Sequence, residues 1–485
     1  MLVVVDAQLA GDYQTYQTAC TALAARLDIS DSSNILTSFV AAGTNLTFPS
    51  RDPSCGSPFQ VVSSDMCTVT LDVATSDRSS TGMEVWLPFN WTGRFLSTGN
   101  GGLSGCIQYP DMDYTTSLGF ATTGSNNGHS GTGGAAFLNN IEVVKDFAWR
   151  SLLTSAQVGK NVTREFFGRP HHKSYYNGCS TGGRQGWKMA QDFPEVFDGI
   201  VAGAPAIDWN MLVSWSGMFY PIFANAGPDG VPPLLLWPVI DAEILKQCDG
   251  IDGAIDGIIE EPSLCHFQAD ALLCSATKRS SCLTPKQVET VRAIFSPLVG
   301  ENGTILFPAL QYSPQFILAI AILYSQGQLS LEDDWYKYAV FNDPTFNATF
   351  LSPQDIAFAS NLNPGDVNTF SGDLSAFKAR GAKILHYHGQ MDFGIPSANS
   401  NRYYELVAHT MGLPPSSLDE FYRLFRVSGM EHCGGGPGAI FIGLTGNNDP
   451  TLAVDYKRAH CRYPYRNVFG GKGNVKDPAS WNCIL

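Results

Sequence analysis

Residues 175–187 read YYNGCSTGGRQGW, and this stretch constrains the fold more than any other part of the chain. A β-prone run, residues 173–177 (KSYYN), leads into Gly178-Cys179-Ser180-Thr181-Gly182, which fits G-x-S-x-G. Helical spacing follows over residues 182–193, with Trp187, Met189 and Ala190 set among polar residues. Small residues two before and two after the serine let the backbone turn sharply, so that strand, turn and helix present the hydroxyl at the top of a sheet. The bare pattern also occurs by chance in ordinary turns; the strand–turn–helix context makes Ser180 the candidate nucleophile.

A serine hydroxyl is a weak nucleophile unless a base lies within hydrogen-bond reach and a third group orients that base. In this architecture the acid and the base follow in the order Ser, Asp, His, each after a late strand. Two late segments fit. Residues 382–388 (AKILHYH) read as a strand followed by Gly389-Gln390-Met391-Asp392, and residues 421–427 (FYRLFRV) by Ser428-Gly429-Met430-Glu431-His432-Cys433. Asp392 is therefore the candidate acid and His432 the candidate base; the competing readings are a turn aspartate and a surface histidine. His386 and His388 fall on the strand itself and read as core or supporting groups. Glu431 adjoins His432, but consecutive residues point apart, which makes it a poor orienter.

A tetrahedral intermediate also needs preorganised donors for its oxyanion. One is expected from the N–H of Thr181, the residue after the nucleophile. The other is expected from the loop after an early strand. Residues 94–98 (RFLST) lead into Gly99-Asn100-Gly101-Gly102, where Gly101 and Gly102 are equal candidates. A phosphate loop is disfavoured, because the run lacks G-x-G-x-x-G and the P-loop lysine.

Residues 83–87 (MEVWL) and 94–98 read as strands around the turn Asn90-Trp91-Thr92-Gly93, and residues 199–203 (GIVAG) as another strand. Short β-rich runs followed by alternating strands and helices argue for an α/β chain with a parallel sheet covered on both faces. Between about residues 206 and 377 the alternation stops, and aromatics and irregular runs take over. The expected division is a catalytic domain over 1–205 and 378–485, with an insertion over 206–377 of the kind that forms lids.

The formal charge is −14 and no basic run occurs, which disfavours nucleic acid and anionic membranes as partners. No apolar run of about 18 residues is present, so no transmembrane helix is expected. Residues 316–324 (FILAIAILY) are too short to span and read as a core segment. The 12 cysteines include no C-x-x-C, which removes zinc-ribbon and thioredoxin readings. Sequons begin at Asn45, Asn90, Asn161, Asn302 and Asn347; with an even cysteine count they point to a secreted, oxidised protein. The amino terminus, MLVVVDAQLA, lacks a charged n-region and reads as a mature start or a cut edge without its signal peptide.

Residues 248–265 read CDGIDGAIDGIIEEPSLC. Asp249, Asp252 and Asp256 would repel one another in so tight a loop unless a cation joined them, and hard oxygen ligands suit Ca²⁺. The spacing is not that of an EF-hand; the alternative is a solvated acidic turn. Cys179 precedes the candidate nucleophile and Cys433 follows the candidate base. If Ser180 and His432 touch, these cysteines come within the span of about 4.4–6.8 Å between Cα atoms that a disulfide bridges. Such a bridge would pin nucleophile to base and stabilise by up to about 5 kcal/mol on chain entropy.

Taken together, GCSTGGRQG, FDGIVAGAPA, HYHGQMD and GMEHC resemble the tannase and feruloyl esterase family, most closely its fungal feruloyl esterases, over nearly the whole chain. The resemblance implies an α/β-hydrolase fold with a large inserted lid, a Ser180–Asp392–His432 triad and a Cys179–Cys433 bridge. It implies calcium held by the side chains of Asp249, Asp252 and Asp256 and the carbonyls of Ala254 and Ile258; the place of these residues in the expected lid, away from the triad motifs, makes it a structural ion. It further implies the pairs Cys20–Cys67, Cys55–Cys106, Cys248–Cys265, Cys274–Cys282 and Cys461–Cys483.

The expected reaction is hydrolysis of hydroxycinnamoyl esters of plant cell-wall polysaccharide, by a secreted monomer or homodimer. The alternatives are a tannase acting on galloyl esters, another aryl-ester hydrolase, a protease, or a non-catalytic binding protein on the same scaffold. The last is disfavoured because all three triad candidates are present. Trp209, Trp215, Phe219, Tyr220, Trp335 and Tyr338 are candidates for an aromatic acyl pocket, against the plainer reading that they are lid core.

Overall fold

The computed structural model describes residues 12–277, 280–313, 331–438 and 460–485. Nine strands make one mixed sheet: β1 (Ser32–Val40), β2 (Met66–Ala74), β3 (Ser80–Pro88), β4 (Arg94–Thr98), β5 (Phe120–Ser125), β6 (Lys173–Cys179), β7 (Gly199–Gly203), β8 (Lys383–Gly389) and β9 (Tyr422–Val427). Their order is β1-β2-β3-β5-β4-β6-β7-β8-β9. The chain is thus of the α/β class. The amino-terminal segment and residues 316–324 fall outside the described residues.

The expected parallel sheet holds only in part. β4 pairs parallel with β5 and with β6, whereas β1–β2, β2–β3 and β3–β5 are antiparallel. The reason lies in the connections. Residues 75–79 close a tight loop between β2 and β3, with Thr75 N–H donating to the Ser79 carbonyl at 3.0 Å, and a connection so short joins only antiparallel neighbours. The strands expected around the turn at residues 90–93 are both present, but β5 lies between them. The chain leaves β4 and returns into that gap after helix α2 (Tyr109–Ser117); the amino-terminal helix α1 is Tyr13–Leu23.

Two compact units account for the packing. The first holds Met1–Ala202, Pro364–Thr369 and Leu374–Ile384; the second holds Gly203–Asn363, Phe370–Asp373 and Leu385–Leu485. In the first, helix α3 (Ser151–Phe167) buries Leu152, Ala156, Val162 and Phe166. Each large side chain so buried contributes about 1.5–3 kcal/mol. Gly159 lets this helix approach the sheet: a Cβ there would stand 3.0 Å from the Phe95 ring and 3.1 Å from Thr123. Every residue of β5 is buried, while β1 alternates as an edge strand does.

In the second unit the core is aromatic. Trp209 meets Trp335 edge to face at 5.5 Å, and Trp215 meets Phe219 at 5.2 Å. These four rings are buried. Trp209 and Trp335 serve as core, which is the plainer of the two expectations. Trp215 and Phe219 also line an apolar cavity of about 260 Å³ with Met218, Ile222, Leu298 and Val299. Tyr220 and Tyr338 are half-buried.

Candidate active site

β6 ends at Cys179 and helix α4 (Thr181–Asp192) begins at Thr181, so one residue makes the whole turn. That residue is Ser180, with φ 63° and ψ −125°. A non-glycine residue held there costs about 1–3 kcal/mol, so its surroundings must hold it in place. They do so through close backbone approach. A Cβ on Gly99 would stand 2.4 Å from Tyr176 Oη and 2.7 Å from Gly182 Cα. Tyr176 Oη donates to the Gly182 carbonyl at 2.7 Å, and Arg184 N–H donates to the Ser180 carbonyl at 3.0 Å.

Thr181 is the first residue of α4, where backbone N–H groups lack intrahelical acceptors and the helix dipole is positive. Its hydroxyl donates to the Gly102 carbonyl at 2.8 Å, which ties the loop after β4 to the turn. Within that loop Gly102 has φ +56°, whereas a Cβ on Gly101 would meet nothing within 4 Å. Backbone conformation therefore demands glycine at 102 and not at 101.

Gln185 holds the loop from the other side. Its Oε1 accepts Asn100 N–H at 3.1 Å, and its Nε2 donates to Asn127 Oδ1 at 2.8 Å. Asn100 Nδ2 in turn donates to the carbonyls of Cys106 and Ser125 at 3.0 and 2.8 Å. Gln185 is not among the residues legible from sequence. A helical glutamine carries no local signal that it will face a loop 85 residues earlier.

Ser180 belongs to the first unit; Asp392 and His432 belong to the second, and there they meet. His432 Nδ1 lies 2.7 Å from Asp392 Oδ2. Asp392 is wholly buried, whereas 24% of the His432 side chain stays exposed. Asp392 Oδ1 accepts the N–H groups of Gly394 and Ile395 at 2.8 and 2.9 Å. Burial alone would raise the Asp392 carboxyl; the His432 and His388 imidazoles beside it outweigh that and hold it far below the usual carboxylate range. Burial likewise opposes a charge on His432, but Asp392 wins, and the imidazole is raised above its ordinary value. The carboxylate that meets His432 Nδ1 is thus Asp392.

Two further residues brace this pair. Gln311 Nε2 donates to the Asp392 carbonyl, and its Oε1 accepts Ser397 N–H at 3.0 Å. His388 Nε2 lies 3.1 Å from Asp392 Oδ2. The expectation that His388 supports the site from the strand therefore holds, while Gln311 was missed because it comes from an irregular stretch 81 residues away.

The loop that carries His432 is tightly folded. Cys433 has φ +67°, and a Cβ on Gly436 would stand 2.1 Å from the Gly429 carbonyl oxygen. Cys179 and Cys433 are both disulfide-bonded, and no cysteine is free. The five other pairs implied by the resemblance are present: Cys20–Cys67, Cys55–Cys106, Cys248–Cys265, Cys274–Cys282 and Cys461–Cys483.

In the acidic loop Asp249 and Asp252 are buried. Asp249 Oδ1 accepts Gly257 N–H at 3.1 Å, Asp252 Oδ1 accepts Ala254 N–H at 2.8 Å and Asp256 Oδ1 accepts Ile258 N–H at 3.2 Å. Among the described residues no three carboxylate, histidine or cysteine side chains converge as a metal cluster. Any cation here would have to draw on backbone carbonyls as well.

The family model described as Tannase and feruloyl esterase matches residues 67–321 and 363–484. A probable feruloyl esterase B-1 of Aspergillus flavus is 46% identical over 505 aligned residues, covering 97% of this chain and 96% of that protein. Feruloyl esterase C of Talaromyces stipitatus is 44% identical, again over 97% of this chain and 96% of its own. The solved structure of feruloyl esterase B from Aspergillus oryzae superposes with a TM-score of 0.92 at 41% identity, over 97% of this chain and 100% of that one. Tannin acyl hydrolase from Aspergillus niger shares the fold, with a TM-score of 0.77 at 23% identity over 96% of this chain and 95% of its own. With the family model matching most of the chain and relatives this similar at nearly full length, the chain belongs to the tannase and feruloyl esterase family.

Proposed function

We propose that this chain is a secreted serine carboxylic-ester hydrolase that cleaves feruloyl, p-coumaroyl and caffeoyl esters of plant cell-wall polysaccharide. The observation that carries the reading is the 2.7 Å Asp392–His432 bond, in a chain 44–46% identical to feruloyl esterases. The strained Ser180 turn supports the same chemistry. The nine-stranded sheet supports an α/β-hydrolase fold; a catalytic domain of residues 1–205 and 378–485 with residues 206–377 as its lid is part of the same proposal, although the two compact units group residues 385–485 with residues 203–363. All five sequon asparagines are exposed, and with the disulfides they support secretion and glycosylation.

In this mechanism Asp392 accepts the Nδ1–H of His432, which leaves Nε2 with the lone pair. Nε2 takes the Ser180 hydroxyl proton as Oγ attacks the ester carbonyl. The N–H of Thr181, with an N–H of Gly101 or Gly102, receives the developing oxyanion. The carbon–oxygen bond then breaks, and the imidazolium returns its proton to the departing alcohol. Water, deprotonated by the same nitrogen, releases the hydroxycinnamic acid and regenerates Ser180. A Cys179–Cys433 bridge would hold nucleophile and base together; it is supported by both cysteines being disulfide-bonded while the other ten pair among themselves.

Calcium is proposed as a structural ion. Buried Asp249 and Asp252, with Asp256 and the carbonyls of Ala254 and Ile258, would supply the oxygen-only donors that suit it. When bound, the ion supplies charge balance for this loop.

Hydrolysis of methyl ferulate, caffeate, p-coumarate and gallate, with Ser180→Ala as control, tests the reading. Serine-dependent turnover of the cinnamates is the expected result. Turnover of gallate alone moves the chain to tannin-type substrates, and serine-independent turnover removes the triad.

A further inference from the structure

We propose that His388 is a positioning residue for the acid–base pair: a second imidazole, it donates Nε2–H to the same Asp392 oxygen that receives His432. The inference rests on the triad reading above and deepens it. His386 and His388 lie on the same face of β8, two residues apart, and both are wholly buried.

The protonation of His388 follows from its neighbours. Nε2 lies 3.1 Å from Asp392 Oδ2 and 3.1 Å from the Ile395 carbonyl oxygen. A carbonyl can only accept, and a carboxylate that already receives two backbone N–H groups and His432 is ionised and also accepts. Nε2 therefore carries a proton shared between the two oxygens. In the neutral ring Nδ1 is then an acceptor, and Ser400 Oγ, on helix α5 (Ala398–Met411), lies 2.6 Å from it. Ser400 has a single proton. Having given it to His388, it must accept the Nε2–H of His386, 2.8 Å away. The far nitrogen of His386 lies 3.0 Å from Tyr422 Oη on β9. Burial pushes His386 well below the ordinary imidazole value, which keeps it in the neutral form this direction needs.

The consequence is a one-way chain of donors: Tyr422, His386, Ser400, His388, Asp392. The titratable groups facing it are Asp392 and His432 from the loops, His386 on β8 and Tyr422 on β9, with Tyr403 and Tyr404 of α5 and Tyr463 around Tyr422 and Glu431 adjoining His432 in sequence. Oδ1 is fixed by its turn, so the state of Oδ2 decides how the carboxylate meets His432. With one lone pair of Oδ2 clamped by His388, the other is aimed at His432 Nδ1–H. The clamp also spreads the carboxylate charge, so the pull on the imidazolium of His432 is moderated.

The test is kcat, KM and the pH profile of kcat/KM on methyl ferulate for His388→Leu, His388→Gln and Ser400→Ala. His388→Leu should lower kcat about ten- to a hundredfold, with KM within about twofold, as loss of a hydrogen bond to a charged group implies. Its acid limb should move to higher pH by about half a unit or more, because an unclamped carboxylate holds the His432 proton more tightly. His388→Gln, whose amide N–H can replace Nε2–H, should recover most of kcat and return the limb. Ser400→Ala is a small deletion that tolerates folding; it should shift both quantities the same way and by less.

Unchanged kcat with an unmoved limb, in His388→Leu or in Ser400→Ala, would overturn the inference. So would a loss of kcat with no limb shift and no recovery by glutamine, which marks a merely structural residue. Ser180→Ala and Asp392→Asn, run alongside, separate the two readings. If they keep turnover, the triad itself fails; if they lose it while His388→Leu does not, only this inference fails.

Discussion

Ser428 donates its hydroxyl proton to Glu260 Oε1 across 168 residues of chain, and both side chains are buried. The bond joins the end of the acidic loop to the segment that leads from β9 to His432. Beside it, Arg426 and Glu261 form an ion pair at 2.5 Å, with both partners nearly buried. Ile258 packs on Gly429 so closely that a Cβ on the glycine would stand 3.2 Å from its Cδ1. The acidic loop thus braces the base-bearing segment, closer to the candidate base than its place in the sequence implies. Glu260→Ala should cost about 1.5–3 kcal/mol of stability, the range for a lost hydrogen bond to a charged group. It should also lower kcat more than it changes KM. Urea unfolding with kinetics on methyl ferulate checks both; a fully stable variant with wild-type kcat would dismiss the bracing role.

Asp392 raises the imidazole of His432, and the proposed mechanism needs that imidazole neutral. Activity should therefore fall as pH drops through a midpoint above the ordinary histidine value of about 6.5. Asp392→Asn removes the charge that raises it, so the midpoint should move down. The same change should lower kcat by about 10³–10⁴-fold, through loss of the fixed tautomer. Rate–pH profiles of the two proteins decide the matter.

A bridge between Cys179 and Cys433 predicts that Cys433→Ser leaves one titratable thiol. Loss of a link closing so long a loop should cost up to about 5 kcal/mol and reduce kcat by loosening the His432 loop. Thiol titration under denaturing conditions, compared with wild type, supplies the readout. Eleven cysteines leave one thiol whatever the pairing, so the alkylated residue is mapped by peptide mass: a label on any cysteine other than Cys179 would mean a different pairing.

Gln185→Leu would strip the buried amide that receives Asn100 N–H and donates to Asn127. Buried polar groups left without partners cost about 1–3 kcal/mol each. Because this amide sets the loop of Gly101 and Gly102, kcat should also fall, by about tenfold if one oxyanion donor is displaced without being lost. Circular dichroism melts and steady-state kinetics distinguish a catalytic from a purely thermal effect.

Calcium in the acidic loop predicts a lower melting temperature after chelation and its recovery on adding calcium back. At a concentration a hundredfold above the dissociation constant the expected stabilisation is about 2.7 kcal/mol. Asp252→Asn should abolish the response. A melting temperature indifferent to chelator would remove calcium from this account.

Ser180, Asp392 and His432 were legible as candidates because each belongs to a local pattern. A strand, a tight turn and a helix announce the first, and a strand followed by a short loop announces each of the others. The strand boundaries were readable for the same reason, since β4 and β7 begin and end where alternation and glycine mark them. The exchange of β5 into the space between β3 and β4 was not legible, because pairing depends on where α2 returns the chain. Gln185, Gln311 and Ser400 were invisible as functional candidates, since an amide or hydroxyl on a helix or loop looks the same whether it faces solvent or a buried carboxylate.

By itself the sequence determined the class of the fold and named the candidate reactive side chains in their order along the chain, because these readings rest on short-range periodicity and on chemistry within a few residues. Only the tertiary structure decided how Asp392 is held: two backbone N–H groups on one oxygen, two imidazoles on the other, and a glutamine from a distant loop on its carbonyl. Gly394, Ile395 and His388 lie within four residues of Asp392, whereas His432 and Gln311 come from separate segments brought together by burial. Once a carboxylate is taken out of water its hydrogen bonds must be supplied by whatever the packing places around it, and that is a property of the folded chain.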